Sequence, residues 1–227
     1  MNSEAPEETN KSTKTYNSLL LPVVCLLALV AGIYFSLKDI GGSTPPEVAG
    51  LFWPQQKSLE PFAMVSHENE EFTLDNLKGK WNLMFFGYTH CPDICPITMS
   101  ILKQTAVNIK EKDEPSSEDL SVVFISVDGE RDTPDHLNNY LEFFDPAFVG
   151  ATGNTSQVDS LTKQLGIPYE IEKHEPGEDY LVSHSGAVLM ISPEGKLAAI
   201  FQAPHAPQDL ADSFIKVRSF LEQQSPS

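Results

Sequence analysis

Basic residues are scarce in this chain. Lys and Arg number 15 against 32 Asp and Glu across 227 residues, a formal net charge of −17. So few cations exclude a protein that grips nucleic acid or an anionic bilayer surface by electrostatics. The acidic surplus itself reads as solubility. Arginine occurs twice, at Arg131 and Arg218, which argues against a thiol peroxidase, whose reactive cysteine needs an activating guanidinium. Three cysteines are too few for a disulfide scaffold, so their positions matter more than their number. No internal repeat is present. What the chain does have, 41% apolar and 9% aromatic residues, suffices for a core and excludes wholesale disorder. Its length suits one domain with appendages.

One apolar run stands apart. Residues 1–18 are polar, with Tyr16 their one aromatic, and read as a disordered tail. Leu19 to Leu37 then carries no charge and is long enough for a single transmembrane helix, which needs about 20 residues. Pro22 sits near its start, where a helix tolerates proline best. A cleaved signal peptide is the competitor, but its apolar part usually runs about 7–15 residues and ends in a small-residue site. Here Lys38, Asp39 and Ile40 follow instead, and an uncleaved anchor is expected. Cys25 lacks the small residue that precedes a lipoprotein cysteine and reads as a small apolar side chain. Lys11 and Lys14 precede the span, which by the positive-inside rule puts the tail in the cytoplasm and the rest outside. The leader has no Arg-rich amphipathic pattern of the mitochondrial kind. The expected location is therefore a bacterial inner membrane, with the C-terminal domain in the periplasm. Residues 38–47 form a linker containing Gly41, Gly42, Pro45 and Pro46, and 48–227 the folded domain. Four acidic and three basic residues precede Pro45, leaving 28 against 12 beyond it.

Within the domain, Phe62 to Val65 and Glu71 to Thr73 suggest a short hairpin. Asn82 to Tyr88 and Leu120 to Val127 are compact apolar runs suited to buried strands. A helix is expected from Pro96 to about Lys112. Thr133 and Pro134 open another, with Leu137, Leu141 and Phe144 on one face. Phe148 to Ala151 reads as a strand, and Gln157 to Leu165 as a helix ended by Gly166. Ala187 to Ile191 and Leu197 to Phe201 flank a turn at Ser192-Pro193-Glu194-Gly195. A last helix runs from about Pro207 to Glu222. Strands alternating with helices predict an α/β sandwich with helices on both faces of the sheet.

The run Gly87-Tyr88-Thr89-His90-Cys91-Pro92-Asp93-Ile94-Cys95-Pro96 falls between a strand end and a helix start, where ligands and reactive groups gather in open α/β sheets. A thiol at a helix N-terminus is biased toward thiolate, the form that binds metal and attacks disulfides. Residues four apart in a regular helix hold their Cβ atoms about 5–6 Å from each other, whereas a disulfide wants about 3.5–4.5 Å. Sharing a metal ion is thus easier than bonding. Pro92 and Pro96 disfavour regular helix here, however, and leave a reversible disulfide open. Two thiolates and one further ligand would suit copper(I). Of six histidines, His90 adjoins Cys91, and adjacent side chains rarely converge on one ion. His67 and His136 read as solvated surface, and nothing singles out His174 or His205 in their loops. His184, at the entrance of the Ala187–Ile191 strand, could face the cysteine turn or be a capping or core histidine.

The segments FFGYTHCPDICP, ISVDGERDTPDHLNNY and SHSGAVLMISPEGKL together resemble the Sco/SenC family of membrane-anchored, thioredoxin-like copper proteins that serve cytochrome c oxidase. The resemblance covers roughly Val48 to Gln223. It implies a thioredoxin-like α/β fold, a central mixed β-sheet flanked by helices with an extra N-terminal hairpin. It also implies Cys91, Cys95 and His184 as copper ligands, for copper(I) with copper(II) undecided. The implied role is a metallochaperone delivering copper to the dinuclear centre of cytochrome c oxidase subunit II, with a copper donor protein and a thiol reductant as further partners. A Cys91–Cys95 disulfide would abolish binding and couple loading to redox state. The rival is an enzyme, a membrane-anchored thiol–disulfide oxidoreductase using Cys91 and Cys95 as its redox pair. Against it stand three intervening residues where such enzymes have two, and no use for His184. The family commonly carries Pro where this chain has Gly129. Asp128 and Asp132 match its acidic segment and are expected near the site, without an assigned role.

Overall fold

In a computed structural model, which describes residues 16–40, 45–48, 50–175 and 177–224, the chain divides into two units, Met1–Thr44 and Pro45–Ser227. The first carries helix α1 (Tyr16–Ile40), with Pro22 inside it. The span expected at 19–37 lies within this helix, and its described side chains, 22 to 34, are exposed. Among the described residues no helix is long and apolar enough to cross a membrane. Of the expected tail and linker, residues 1–15 and 41–44 lie outside the described residues.

The second unit runs β1 (Leu51–Ser58), β2 (Ala63–Ser66), β3 (Glu71–Thr73), β4 (Trp81–Gly87), α2 (Ile94–Lys112), α3 (Glu114–Glu118) and β5 (Leu120–Ser126). It continues through α4 (Pro134–Phe144), β6 (Val149–Thr152), α5 (Thr155–Leu165), β7 (Tyr169–Ile171), β8 (Val182–His184), β9 (Val188–Ile191), β10 (Lys196–Phe201) and α6 (Pro207–Gln224). Eight strands form one mixed sheet in the order β1-β10-β9-β4-β5-β6-β2-β3, while β7 and β8 pair in a separate ribbon. The expected hairpin is β2–β3, which extends the sheet beyond β6. Five elements have no counterpart among the expected ones: β1, a short 3-10 helix at Leu74–Leu77, α3, β7 and β8. The first is largely exposed and contains Pro54, which an edge strand with a register shift tolerates. The others are three to five residues long, too short for periodicity to register.

All seven residues of β4 and all four of β9 are buried, as central strands covered on both faces must be. β4 pairs parallel with β5, placing Gly87 opposite Ser126, and antiparallel with β9, placing Phe85 opposite Val188. The ends of β4 and β5 and the beginning of β9 therefore share one sheet edge. On the flanking layer α2 packs against α6 and reaches α4. Thr133 caps α4, its side chain accepting from the His136 amide. Asn154 and Gln157 form a capping box on α5, which Gly166 ends at φ 71°. Arg218 ties α6 to the α3 region by donating to the Ser116 carbonyl at 3.1 Å and to the Asp119 carboxylate.

Replacing Phe86, fully buried in β4, by alanine lowers the unfolding free energy by about 3–5 kcal/mol. A urea midpoint matching wild type would contradict the burial of this strand.

Candidate metal centre

Gly87 ends β4, and the chain turns through Tyr88–Asp93 before α2 begins at Ile94. The helix starts two residues earlier than expected from Pro96. Proline in a first turn gives up only an amide that has no helical partner, so Pro96 does not delay it. The Cys91 amide donates to the Tyr88 carbonyl at 3.2 Å, tightening the turn. Cys95 is wholly buried, whereas Cys91 is partly exposed, and both are free thiols. The Cys95 sulfur lies where a side chain at 87 would project: a Cβ there would stand 2.7 Å from Sγ and 3.0 Å from the Phe124 ring.

His184 ends β8 rather than opening the next strand. Its Nε2 lies 3.2 Å from Cys95 Sγ, and its Nδ1 lies 3.1 Å from the Ser185 carbonyl oxygen. A carbonyl can only accept, so Nδ1 donates to Ser185 and Nε2 is left facing the sulfurs. Metal-binding histidines are commonly oriented by such a second hydrogen bond. The rings of Phe85 and Tyr88 meet the imidazole edge-on, with centroids at 5.9 and 5.8 Å. One ligand atom from each of Cys91, Cys95 and His184 fits within 4.8 Å of the others, and two bonds of about 2.3 Å to one ion span a similar distance. Among the described residues no other group of three His, Cys, Asp or Glu meets this criterion.

The two thiols are electrostatically unequal. Cys91 is lowered to about 4, first by the hydrogen bond from the Cys95 side chain, then by the Asp93 amide, His184 and the Cys95 amide, against the opposing effect of burial. Cys95 is pushed strongly upward by the same Cys91 interaction and by burial. The pair therefore holds one proton on the buried sulfur and leaves a thiolate on the accessible one.

The remaining histidines are engaged elsewhere. His90 faces Asp132 at 3.6 Å and is about half exposed, and His136 Nδ1 donates to the Arg131 carbonyl at 2.9 Å. His67 bonds the Gly150 backbone, His205 lies 2.8 Å from the Gly186 carbonyl, and His174 stacks on Tyr180. Asp128 and Asp132 are both fully buried. Asp132 accepts from the Thr89 amide at 2.9 Å, the Thr89 hydroxyl at 2.6 Å and the Ser126 hydroxyl at 2.7 Å. Asp128 accepts from Arg131 Nε at 2.6 Å and the Tyr180 hydroxyl at 2.7 Å. Arg131 is thus committed to a carboxylate and is not free to activate a peroxidatic thiol. Sequence reasoning assigned no role to Tyr88, Tyr180 or Gly87 and weighed Arg131 only as an activator of a peroxidatic thiol. Gly87 alone left a signal, as the small residue between an aromatic run and the cysteine turn.

The SCO1/SenC family model matches residues 54–219. A protein of Stutzerimonas stutzeri named for copper binding is 34% identical over 186 residues, covering 82% of this chain and 86% of its own. The mitochondrial SCO1 homolog 1 of Arabidopsis thaliana is 36% identical over 156 residues, covering 69% of this chain and 46% of its own. The chain thus spans about half the length of that mitochondrial relative. The crystal structure of Arabidopsis thaliana ScoI with copper bound superposes with a TM-score of 0.65 at 34% identity, covering 70% of this chain and 98% of that one.

Two outcomes test the site. Iodoacetamide applied to the reduced, metal-free chain labels Cys91 well before Cys95. Because lowering keeps the thiolate populated above about 4, the Cys91 rate is flat through neutral pH and falls only as pH drops toward that value; equal labelling of both thiols would refute the asymmetry. Gly87→Ala drives a methyl group into the Cys95 sulfur, costs about 1–3 kcal/mol of stability and makes Cys95 accessible to the same reagent. Unchanged Cys95 labelling in a folded variant would show that the sulfur does not rest on this glycine.

Proposed function

The chain belongs to the SCO1/SenC family, and from that premise we propose that it carries copper on Cys91, Cys95 and His184. It passes the ion by ligand exchange to the dinuclear copper centre of cytochrome c oxidase subunit II. The convergence of two sulfurs and one imidazole nitrogen within 4.8 Å carries this reading. Thiolate donors favour copper(I) over harder cations, and the copper named in the bacterial and plant relatives supports the same metal. Copper is cargo here. Cys91 presents a thiolate at the accessible side, Cys95 gives up its proton as the ion enters, and His184 offers Nε2 while the Ser185 carbonyl holds the other nitrogen. A Cys91–Cys95 disulfide removes both sulfur donors, so loading requires a thiol reductant as well as a copper donor.

The apolar run of 19–37 then anchors the domain to a bacterial inner membrane on the periplasmic side, where the copper centre of an exported oxidase subunit is reached. Lys11 and Lys14 ahead of the run support that orientation. One observation favours a second reading. A half-buried Cys91 thiolate beside a buried Cys95 is also the attacking and resolving pair of a thiol–disulfide oxidoreductase.

Copper(I) titration of the reduced full-length chain in detergent gives about one ion per chain, and X-ray absorption counts two sulfurs and one nitrogen. His184→Ala lowers the affinity by more than about 100-fold, beyond what loss of an outer hydrogen bond costs, and leaves the Cys91–Cys95 redox equilibrium in place. A variant that keeps wild-type copper affinity yet fails to reduce a disulfide substrate would sink the carrier and establish the oxidoreductase.

A further inference from the structure

His184 lies on a ribbon, β7–β8, that makes no strand pairing with the eight-stranded sheet. Its distance from the cysteines is therefore not set by sheet register, and other contacts must hold it. At its base the Tyr169 hydroxyl donates to Asp159 on α5 at 2.8 Å, and the Ser185 amide donates to the Pro168 carbonyl at 3.2 Å. Next to the cysteine turn the Val182 backbone hydrogen-bonds the Tyr88 side chain and the rings of Phe85 and Tyr88 meet His184, while a further set of contacts gathers on Tyr180, four residues before His184. Its hydroxyl donates to Asp128 at 2.7 Å, and its carbonyl accepts from Arg131 Nη1 at 3.0 Å. The Arg131 guanidinium lies over its ring, with Cζ 3.5 Å from the centroid, and His174 stacks near it at 3.7 Å between centroids.

The same guanidinium faces the cysteine side. Its Cζ stands 5.6 Å from the ring of Tyr88, the ring that meets His184 edge-on. Arg131 Nε is fixed by Asp128 at 2.6 Å. The Asp128 amide donates to Ser126 Oγ, which in turn donates to Asp132, the residue that grips Thr89 two positions before Cys91. Residues 126–132 thus act as a bracket with two arms. Asp132 holds the cysteine turn, and Arg131 with Asp128 holds the histidine ribbon.

We propose that Arg131 is a positioning residue that clamps the β7–β8 ribbon through Tyr180 and so decides whether His184 reaches a copper ion held by Cys91 and Cys95. The inference rests on the copper-carrier reading for its metal-bound consequence. With the clamp intact the ion has three protein ligands. With the clamp lost the cysteines keep it, the nitrogen withdraws, and the ion exchanges faster. A guanidinium is suited to this task because one planar group serves a carboxylate, a carbonyl and an aromatic face together. Lysine reproduces the charge and not the fork.

The test compares wild type, Arg131→Gln, Arg131→Lys and Tyr180→Phe as reduced full-length chains. Without metal, diethyl pyrocarbonate modifies His184 faster in Arg131→Gln than in wild type, with Arg131→Lys and Tyr180→Phe in between. With copper(I), X-ray absorption of Arg131→Gln loses the nitrogen contribution and keeps both sulfurs, and capture by a copper(I) chelator quickens by about 10–100-fold, the range typical for loss of an outer-shell partner. If Arg131→Gln does not unfold cooperatively, the two milder variants decide by the same readouts. Wild-type His184 modification and wild-type capture rates in folded variants would overturn the clamp. A wild-type chain that binds no copper would defeat the carrier reading, while the metal-free modification rates would still decide the clamp.

Discussion

Two fully buried carboxylates, Asp128 and Asp132, impose the constraint around which the site is arranged. An ionised carboxylate without partners in such a place costs several kcal/mol, while hydrogen bonds to a charged group contribute about 1.5–3 kcal/mol each. Every donor that reaches these two groups is consequently drawn to a fixed place. For Asp132 the donors are Thr89 and Ser126; for Asp128 they are Arg131 and Tyr180. Thr89 precedes Cys91 by two residues and Tyr180 precedes His184 by four. The energetic need to satisfy the carboxylates therefore fixes segments that come from distant parts of the chain.

The sheet supplies the common ground on which those segments meet. β4 ends at Gly87 level with the end of β5 at Ser126, and β9 begins opposite Phe85. The cysteine turn, the acidic segment and the stretch after His184 thus emerge at one edge. Gly87 lacks a side chain where the Cys95 sulfur rests, so the thiol packs against strand backbone and is withdrawn from solvent. The outcome is an asymmetric pair, one thiol accessible and deprotonated, the other buried and protonated. That asymmetry is common to the proposed copper carrier and to the alternative redox enzyme. The imidazole beside the pair is what separates them chemically.

Much of this was legible in the sequence, for identifiable reasons. Strands such as Trp81–Gly87 and Leu120–Ser126 are dominated by apolar residues, and α4 and α5 announce themselves with Thr133-Pro134 and Gly166. The cysteine turn stood out because reactive residues at a strand-to-helix junction have few bland explanations. His184 was harder. Its ribbon pairs three residues with three across a ten-residue loop, a non-local arrangement that no short periodicity encodes. Asp128 and Asp132 could be marked as near the site only by resemblance, because burial of a carboxylate depends on donors that arrive from elsewhere in the chain. The contacts of Arg131 and Tyr180 are illegible in the sequence for the same reason. Pro96 marks the start of α2 only to within two residues, because the first turn from Ile94 accommodates proline at its third position.

Gly129 sits inside the bracket of residues 126–132, and its backbone lies against that of Gly153. A Cβ at 129 would stand 1.9 Å from the Gly153 carbonyl oxygen, a distance no heavier residue can accept without moving one of the two loops. Position 129 is therefore a wedge point. Any side chain there pries the loop after β5 away from the loop after β6. Closure of that seam in this chain follows from one missing carbon atom, which makes the spacing of two loops beside the cysteine turn a matter of local chain chemistry rather than of the fold.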